Sequence, residues 1–132
     1  RTPVLLWNFK PVPTGLSGGV TLVGYFAAAL GSLVPLAALA AVGSPYPLSP
    51  AAVLGALICG LFGSTVDSLV GATIQSKRQC ASCMKILEKP EHCEKATRAY
   101  SGLPWITNDV VNTVGALSGG IAGALLLGRI WG

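Results

Sequence analysis

Two aspartates stand among residues that are otherwise apolar, and they are the first candidates for chemistry in this chain. Asp67 ends a stretch, beginning at Pro11, that contains no other charged side chain, and Asp109 opens the last apolar stretch. An acid inside a membrane span costs about 2.5–3.5 kcal/mol unless it faces protein or water. Asn108, Asp109 and Asn112 share one side of a helical turn at their spacing. We expect both acids to belong to a catalytic or binding site.

A glycine pair precedes the first long apolar stretch and is the second candidate. Residues 14–21 read T-G-L-S-G-G-V-T, with Gly18 and Gly19 at the expected start of a helix. Such a start exposes backbone N–H groups and the positive end of the helix dipole, which bind phosphate. Carboxylate and amide oxygens nearby are the ligands that Mg²⁺ prefers, and Mg²⁺ commonly bridges to substrate phosphates. Together these features predict binding of a phosphorylated lipid.

Each of these features also has a purely structural interpretation. Asp109 and Ser17 are residue types that cap helix N-termini, and the glycine pair suits a tight turn or a close packing contact. Asp67 could hydrogen-bond across a helix bundle without any part in catalysis. Both interpretations stay open, and the coincidence of three polar features favours the functional one.

The third candidate is a segment rich in cysteine. Cys80 and Cys83 form a C-x-x-C turn, and His92 and Cys93 follow further along the chain. Two thiolates at that spacing can bind one zinc ion, which Cys93 and His92 would complete as a tetrahedron, although adjacent ligands make the geometry awkward. A redox pair, or thiols without a shared role, are the alternatives. Cys59 is expected to pack inside an apolar span.

The composition predicts an integral membrane protein. Hydrophobic residues make up 52% of the chain and charged residues 11%, against roughly 25% charged residues in soluble domains. No charged side chain lies between Lys10 and Asp67. The net charge of +4 does not indicate nucleic-acid binding, because nearly all basic residues lie in one loop and at the N-terminus, as membrane topology requires. The expected partner is membrane lipid.

Three apolar stretches are long enough to cross a bilayer as helices, which takes about 20 residues. They run from about 16 to 42, 50 to 75 and 109 to 131, and they predict an all-α fold, a polytopic bundle of transmembrane helices. Gly43–Pro50 is rich in proline and should form a tight turn between antiparallel neighbours. Pro35 removes a backbone donor, so it should kink the first span or mark its end.

The segment 76–108 is the polar part of the chain and should form a loop outside the membrane. It holds six basic and three acidic side chains. With three spans, this loop and the N-terminus share one side, while Arg129 lies on the other. Because positive charge resists translocation, we expect the loop side to be cytosolic, or stromal in an organelle.

Small residues at helical spacing predict close packing between the spans. In lipid, where burial of apolar surface cannot drive helices together, small side chains let backbones approach and pack well. Two rows have this spacing: Gly60, Ser64, Ser68 and Ala72 in the second span, and Gly115, Gly119 and Gly123 in the third.

The chain as a whole, residues 1–132, is interpreted as one membrane domain that forms the C-terminal part of a longer protein. It starts at Arg1 without a methionine and soon enters an apolar helix. Nothing resembles a cleavable signal peptide, because the first apolar run is too long and has no small-residue cleavage site. We expect these spans to pack against missing N-terminal spans.

Three stretches of the sequence resemble a known family. They are Val12–Thr21, Gly63–Gln75 and Leu103–Asn112. They are similar to three segments of the DUF92-type integral membrane family, which includes transmembrane protein 19 and phytyl-phosphate kinase. The first resembles a G-T-N-G-G-V-T segment of the family, and the third resembles a segment that ends in D-N-D-V-V-N. The second resembles the most recognisable span of the family. The resemblance covers nearly the whole chain. Leu16 and Ser17 replace the Thr-Asn of the first segment.

The resemblance implies nucleotide-dependent phosphorylation of an isoprenyl monophosphate, such as phytyl phosphate, to its diphosphate. Asp67 and Asp109 would be the catalytic acids, with Mg²⁺ as cofactor. The groups that would bind substrate or phosphate are Gly18, Gly19, Ser64, Ser68, Asn108 and Asn112. Thr107 stands where the family has an acid, in the third segment.

Other functions remain open beside the kinase. The sequence has no Walker-type G-x-x-x-x-G-K-[ST] motif, so a nucleotide site would have to be assembled within the membrane fold. A midplane acid, a span interrupted by proline and glycine-rich helix starts also occur in transporters of anionic or lipid solutes. A structural membrane protein, in which the polar residues only lock helices together, is the third possibility.

Overall fold

The computed structural model describes residues 2–43 and 48–131, with side chains as far as Leu126. The described residues form two compact units. Unit 1 contains the residues up to Thr21 together with Asp67–Val114, and unit 2 contains Leu22–Val66 together with the residues from Gly115 onward. The candidate residues therefore fall mostly in unit 1, with Ser64 in unit 2.

Four helices account for the apolar stretches. They are α1 (Leu22–Ser32), α2 (Val34–Ala41), α3 (Pro50–Thr73) and α4 (Asn108–Trp131). Three stretches of helix are long and apolar enough to cross a membrane: Leu22–Ala41, Pro50–Thr73 and Asn108–Leu126. The prediction of three spans is confirmed. The predicted turn at Gly43–Pro50 lies partly outside the described residues, as does the side chain of Arg129.

The first span begins later than predicted, at Leu22 rather than near residue 16. The residues before it form the strand β2 (Gly19–Val20), which pairs antiparallel with β1 (Val4–Leu5). The span is interrupted between α1 and α2, and Pro35 stands in the first turn of α2. A missing backbone N–H at that position costs no helical hydrogen bond. Pro35 thus marks the start of a second helix within the span.

The polar segment 76–108 is not an irregular loop, and the expectation of an all-α chain is not confirmed. It contains five short strands: β3 (Lys77–Gln79), β4 (Ile86–Leu87), β5 (Glu91–His92), β6 (Lys95–Ala96) and β7 (Arg98–Ser101). β3 lies between β4 and β7 in one antiparallel sheet, and β5 pairs with β6. Met84 and Cys93 adopt positive φ, as tight reversals between strands require.

One buried threonine joins the two groups of strands within unit 1. The Arg78 guanidinium in β3 donates to the Thr97 hydroxyl at 2.7 Å and to the Thr97 carbonyl. The Thr97 hydroxyl donates in turn to the carbonyls of Lys89 and Pro90, each at 2.8 Å. Thr97 is 4% exposed, so these hydrogen bonds are shielded from water. They link the β3 sheet to the segment that leads into β5.

Small residues let the helices of unit 2 approach closely. A Cβ on Gly63 of α3 would stand 2.7 Å from the Gly115 carbonyl oxygen and 3.4 Å from the Gly119 Cα in α4. A Cβ on Gly123 would stand 3.2 Å from the Cys59 sulfur, so Cys59 packs against α4. A Cβ on Gly60 would overlap Ser32 of α1. Of the predicted rows, Gly60 and the three glycines of α4 therefore lie at helix contacts.

Apolar side chains of unit 2 face outward rather than into a core. Leu22 is 74% exposed, Phe26 66% and Leu117 60%. In water such exposure would cost roughly 25 cal/mol for each Å² of apolar surface, whereas in a bilayer it places these side chains in their preferred solvent. The pattern agrees with helices that contact lipid.

Candidate functional site

The glycine-rich stretch forms two consecutive β-turns. The Leu16 N–H donates to the Pro13 carbonyl at 3.3 Å, and the Gly19 N–H donates to the Leu16 carbonyl at 3.4 Å. Gly15 and Gly18 are the third residues of these turns, with φ of 86° and 85°. Positive φ at that position is the mark of a type II turn, which glycine adopts without strain. The stretch is therefore a turn that precedes β2, and not the first turn of a helix.

Gly18 packs directly against the carboxyl end of α3. A Cβ at Gly18 would overlap the backbone of Ala72, and a Cβ at Gly71 would stand 3.2 Å from the Gly18 nitrogen and 3.3 Å from the Ser17 Cβ. Only two glycines facing each other permit this approach. Glycine at 18 is thus explained by close packing, and the N–H of Gly19 is already engaged. A phosphate-binding site at Gly18 and Gly19 remains a prediction.

A carboxylate of the polar segment already binds the glycine turn. The Ser17 N–H donates to Oε1 of Glu88 at 2.9 Å. Lys77 lies beside this pair and donates its ammonium to the Ala72 carbonyl at 2.9 Å, which caps the carboxyl end of α3. Burial lowers the pKa of Lys77 from its ordinary value, and the Glu88 carboxylate opposes this shift. The turn therefore binds an anionic group, and in this structure that group is the Glu88 carboxylate.

Asp67 lies on the same side of α3 as the glycine contact. It precedes Gly71 by four residues, so the two share one side of the helix, and Gln75 follows just after α3 ends at Thr73. Asp67 is half-buried. Among residues 2–43 and 48–126, its carboxylate has no hydrogen-bonding partner. A half-buried carboxylate without a partner is costly in an apolar span.

Gln75 lies buried just beyond the carboxyl end of α3. It is 1% exposed, and neither its Nε2 nor its Oε1 has a hydrogen-bonding partner in the described part of the chain. A Cβ at Gly71 would stand 3.1 Å from the Gln75 Oε1, so glycine at 71 leaves room for the amide. Leaving such a group unpaired costs about 1–3 kcal/mol. The sequence analysis did not single out this residue.

The third family-like stretch meets the second at the same place. The Leu103 N–H donates to the Ile74 carbonyl at 3.0 Å, and the Ser76 N–H donates to the Ile106 carbonyl at 2.9 Å. Gly102, with φ of 82°, presses so closely on the Gln75 carbonyl that a Cβ would overlap it. The three stretches singled out in the sequence therefore converge at the carboxyl end of α3.

The polar residues of α4 do not point into this convergence. Asn108, Asp109 and Asn112 are exposed, whereas Val111 is 2% exposed. At about 100° per residue, Asp109 lies about 160° around the helix from Val111. The three polar residues share one side, as predicted, but only Asp109 lies nearly opposite Val111, whereas Asn108 is about 60° and Asn112 about 100° around the helix from it. Their roles in binding or catalysis stay predictions, as do those of the half-buried Ser64 and Ser68.

The four predicted zinc ligands form a compact cluster. The ligand atoms of Cys80, Cys83, His92 and Cys93 all lie within 4.8 Å of one another. The His92 Nδ1 is 3.5 Å from the Cys83 sulfur and 3.2 Å from the Cys93 sulfur. All three cysteines are free thiols. Adjacent His92 and Cys93 can face the same point because Cys93, with φ of 53°, turns the chain back.

Two tight turns present these four side chains. Cys80 and Cys83 lie between β3 and β4, where the Cys80 N–H donates to the Lys85 carbonyl at 3.0 Å and the Met84 N–H donates to the Cys80 carbonyl at 3.0 Å. His92 ends β5, and Cys93 lies in the turn between β5 and β6. Two separate hairpins thus contribute two ligand atoms each.

The thiols of the cluster titrate very differently. Hydrogen bonds from the Cys83 N–H, the His92 side chain and the Ser82 N–H, in that order, lower the pKa of Cys80 to about 6. Desolvation, followed by the neighbouring thiols of Cys83 and Cys80, raises the pKa of Cys93 to about 11. At neutral pH a thiolate is therefore favoured at Cys80 and a charge is disfavoured at Cys93.

The chain is similar in sequence to a plant protein. The chain is 37% identical over 123 residues to "Protein PGR" of Arabidopsis thaliana, in an alignment that covers 87% of this chain and 42% of the relative. The chain therefore spans less than half the length of that relative. No solved structure matches it.

The family assignment rests on most of the chain. The family described as "Integral membrane protein DUF92" matches residues 1–120, which include the glycine turn, α3 and the beginning of α4. The three candidate spans are those of an integral membrane protein. The chain belongs to the DUF92 family of integral membrane proteins.

Proposed function

We propose that this protein binds a phosphorylated isoprenoid lipid at the carboxyl end of α3 and phosphorylates it with a nucleotide as donor. The observation that carries the proposal is Gln75, whose buried amide has no partner among the described residues, at the point where the three family-like stretches meet. An oxygen of a phosphate ligand would accept a hydrogen bond from the Gln75 Nε2 and so offset part of the cost of about 1–3 kcal/mol.

The position of this site suits a lipid with a charged head. The helix α3 is apolar over its candidate span Pro50–Thr73, and the basic residues Lys77 and Arg78 follow within a few residues. An isoprenoid chain would lie along the apolar part, and its phosphate would reach the polar end. Lys77 would attract the phosphate through its ammonium, which burial has already stripped of part of its hydration.

Asp67 is the acid that we assign to the reaction. Its carboxylate has no hydrogen-bonding partner among the described residues and lies one helical turn before Gly71, the glycine that leaves room for the Gln75 amide. The magnesium ion that accompanies nucleotide phosphates would supply charge neutralisation there, and a carboxylate is its preferred protein ligand. Asp109, on the exposed side of α4, is the second candidate acid, with Asn108 and Asn112 beside it.

The transfer itself requires little covalent chemistry from the chain. An oxygen of the lipid monophosphate forms a bond to the terminal phosphorus of the nucleotide, and the bond from that phosphorus to the departing nucleoside diphosphate breaks. The chain has to bring the two anionic groups together and neutralise their charge. Lys77 would attract the lipid phosphate, and the Ser17 N–H would bind it if the phosphate displaced the Glu88 carboxylate.

The direct test uses full-length protein reconstituted in liposomes. Membranes are given phytyl or geranylgeranyl monophosphate, a nucleoside triphosphate and Mg²⁺, and the diphosphate product is measured by mass spectrometry. Asp67→Asn should lower the rate at least about 10²-fold at an unchanged protein level. Glu91→Gln is the matched control, because Glu91 is an exposed acid in β5, and it should keep full activity. Full activity of Asp67→Asn would remove Asp67 from the site.

The other functions give different results in the same liposomes. A carrier of anionic or lipid solutes would move the labelled monophosphate across the bilayer without nucleotide and would form no diphosphate. A structural membrane protein would form no product, and Asp67→Asn would reduce the amount of folded protein. Either pattern overturns the kinase.

A second test separates ligand binding from folding at Gln75. Gln75→Met removes the unpaired amide and keeps a similar volume, so the ligand-free protein should become more stable. The same change should weaken binding of the phosphorylated lipid, because the amide is no longer present to receive it. If Gln75→Met binds the lipid as tightly as the unaltered protein, the site lies elsewhere.

We also propose that the segment 76–108 and the N-terminus lie on the cytosolic or stromal side. The proposal rests on the excess of basic residues in this segment. The exposed amines of Lys85, Lys89 and Lys95 give the test. A membrane-impermeant amine reagent should modify them in sealed vesicles only when the cytosolic face is outward. Modification only in vesicles of the opposite orientation would reverse the topology.

A further inference from the structure

The cysteine cluster plays no part in the proposed lipid chemistry, and we infer that Cys80, Cys83, His92 and Cys93 bind one zinc ion. This metal would be structural, and it would join the two hairpins of the polar segment. The inference is independent of the kinase, because it rests only on residues of segment 76–108.

The distances between the ligand atoms match a zinc tetrahedron. With Zn–S of about 2.3 Å and Zn–N of about 2.0–2.1 Å, a sulfur and a nitrogen on the same ion lie about 3.6 Å apart, and two sulfurs about 3.8 Å apart. His92 Nδ1 stands 3.5 Å and 3.2 Å from the sulfurs of Cys83 and Cys93. The whole set fits within 4.8 Å. Closing the widest separation to about 3.8 Å takes a shift of up to about 1 Å, which would bring all four onto one ion.

The backbone around Cys80 holds this residue at a fixed place in the turn. The Cys80 N–H donates to the Lys85 carbonyl and the Met84 N–H donates to the Cys80 carbonyl, each at 3.0 Å. Outer hydrogen bonds of this kind orient metal ligands generally. Met84 at φ of 57° completes the reversal that returns the chain to β4.

The number and type of ligands indicate the ion and its role. Three thiolates and one imidazole are a known structural zinc set, and four protein ligands leave no open position for a substrate or water. Sulfur-rich tetrahedral sites select zinc or iron–sulfur clusters over magnesium and calcium. A dithiol redox pair would need only two of these residues, and it would not explain why His92 and Cys93 converge on the C-x-x-C turn.

A metal at this place would stabilise a segment that has little apolar core. In the described part of the chain, the buried apolar side chains are Cys80, Ile106 and Val111, and of these only Cys80 lies among the five strands. The β3–β4 and β5–β6 hairpins are each too short to be stable alone in water. The Arg78–Thr97 hydrogen bonds join them at one point, and the zinc would join them at a second.

The test is metal analysis of purified full-length protein together with matched cysteine variants. The unaltered protein should carry about one zinc per chain, and Cys83→Ser should lose it. Cys59→Ser is the control, because Cys59 is also a free thiol but lies in α3 against Gly123, and this variant should keep its zinc. Full zinc in Cys83→Ser would overturn the proposed ligand set.

A second measurement covers the case in which Cys83→Ser fails to fold. Cobalt exchanged for zinc should give the absorption bands of a tetrahedral site with three thiolate ligands, and Cys93→His should retain the metal with bands shifted toward two thiolates. If the folded, unaltered protein binds neither zinc nor cobalt and all its thiols react freely with an alkylating reagent, the inference is wrong. A reversible Cys80–Cys83 disulfide without metal would instead establish the redox pair.

Discussion

The contact between the glycine turn and α3 can be tested with two alanine substitutions, of which only one would place its Cβ in that contact. Gly15 and Gly18 have nearly the same backbone conformation, with φ of 86° and 85°. A Cβ at Gly15 would meet no atom within 4 Å, whereas a Cβ at Gly18 would overlap the backbone of Ala72. Gly15→Ala therefore measures backbone strain alone, and Gly18→Ala measures strain plus overlap.

The expected cost follows from these two contributions. A left-handed backbone costs an alanine roughly 1–2 kcal/mol relative to glycine, and this cost applies to both variants. Inserting a methyl group into a packed contact costs typically about 1–3 kcal/mol more. The overlapping atoms belong to the backbone of α3, which cannot rotate away as a side chain could. Gly18→Ala should thus shift the unfolding equilibrium about 5- to 150-fold further than Gly15→Ala.

Equilibrium unfolding in mixed micelles is the suitable assay. Full-length protein is titrated with a denaturing detergent, and loss of structure is followed by circular dichroism and by the fluorescence of Trp7 and Trp105, which lie in unit 1 with the turn. Equal destabilisation by the two substitutions would refute the close contact between Gly18 and α3. Greater destabilisation by Gly15→Ala would show that the turn is held differently.

Three further outcomes follow from the packing. Gly63→Ala should lower the free energy of unfolding by about 1–3 kcal/mol in the same titration, since its Cβ would overlap α4. Gly120→Ala is the control, because its Cβ meets no atom within 4 Å, and it should stabilise the helix by roughly 0.5–1 kcal/mol. Thr97→Val leaves the Arg78 guanidinium with one hydrogen bond fewer and should speed proteolysis of the polar segment. Tyr25→Phe removes a 3.0 Å hydrogen bond in unit 2 and should cost about 0.5–1.5 kcal/mol. Equal stability of Gly63→Ala and Gly120→Ala would contradict the contact at Gly63. Unchanged proteolysis of Thr97→Val, or unchanged stability of Tyr25→Phe, would contradict the corresponding hydrogen bond.

The three spans were predictable because lipid imposes a simple requirement. A helix in a bilayer must be long and apolar, and both properties can be counted along the chain. The boundaries were less accurate where tertiary contacts intervene. Residues 16–21 are apolar and small, but Gly19 and Val20 pair with β1 instead of extending α1. No local sequence pattern distinguishes a strand from the first turn of a helix at these residues.

The short strands of the polar segment could not be predicted in the same way. Most of them contain two residues, which is too few for an alternating apolar pattern to be recognised. Their positions depend on contacts such as that between Arg78 and Thr97, which are nineteen residues apart in sequence. Strand formation there is a consequence of tertiary structure and not of local propensity.

The spacing of residues along the chain predicted one part of the candidate site and missed another. The C-x-x-C turn and the His92–Cys93 pair predicted a four-ligand cluster, and the structure brings those ligand atoms together. Glu88 was not singled out, because its partner Ser17 is 71 residues away. Gln75 resembles an ordinary polar residue at the end of a span, and only its burial makes it unusual.

The hydrogen bond between the Ser17 N–H and Glu88 has a consequence for selectivity. An incoming anion can take this donor only in exchange for a carboxylate that is tethered beside it at high effective concentration. A fatty acid carries the same single-charged group and gains little from the exchange. A phosphate monoester carries up to two charges and three acceptor oxygens, and so it can displace the resident carboxylate. At the proposed site, the turn would therefore favour phosphorylated lipids over lipids that carry only a carboxylate.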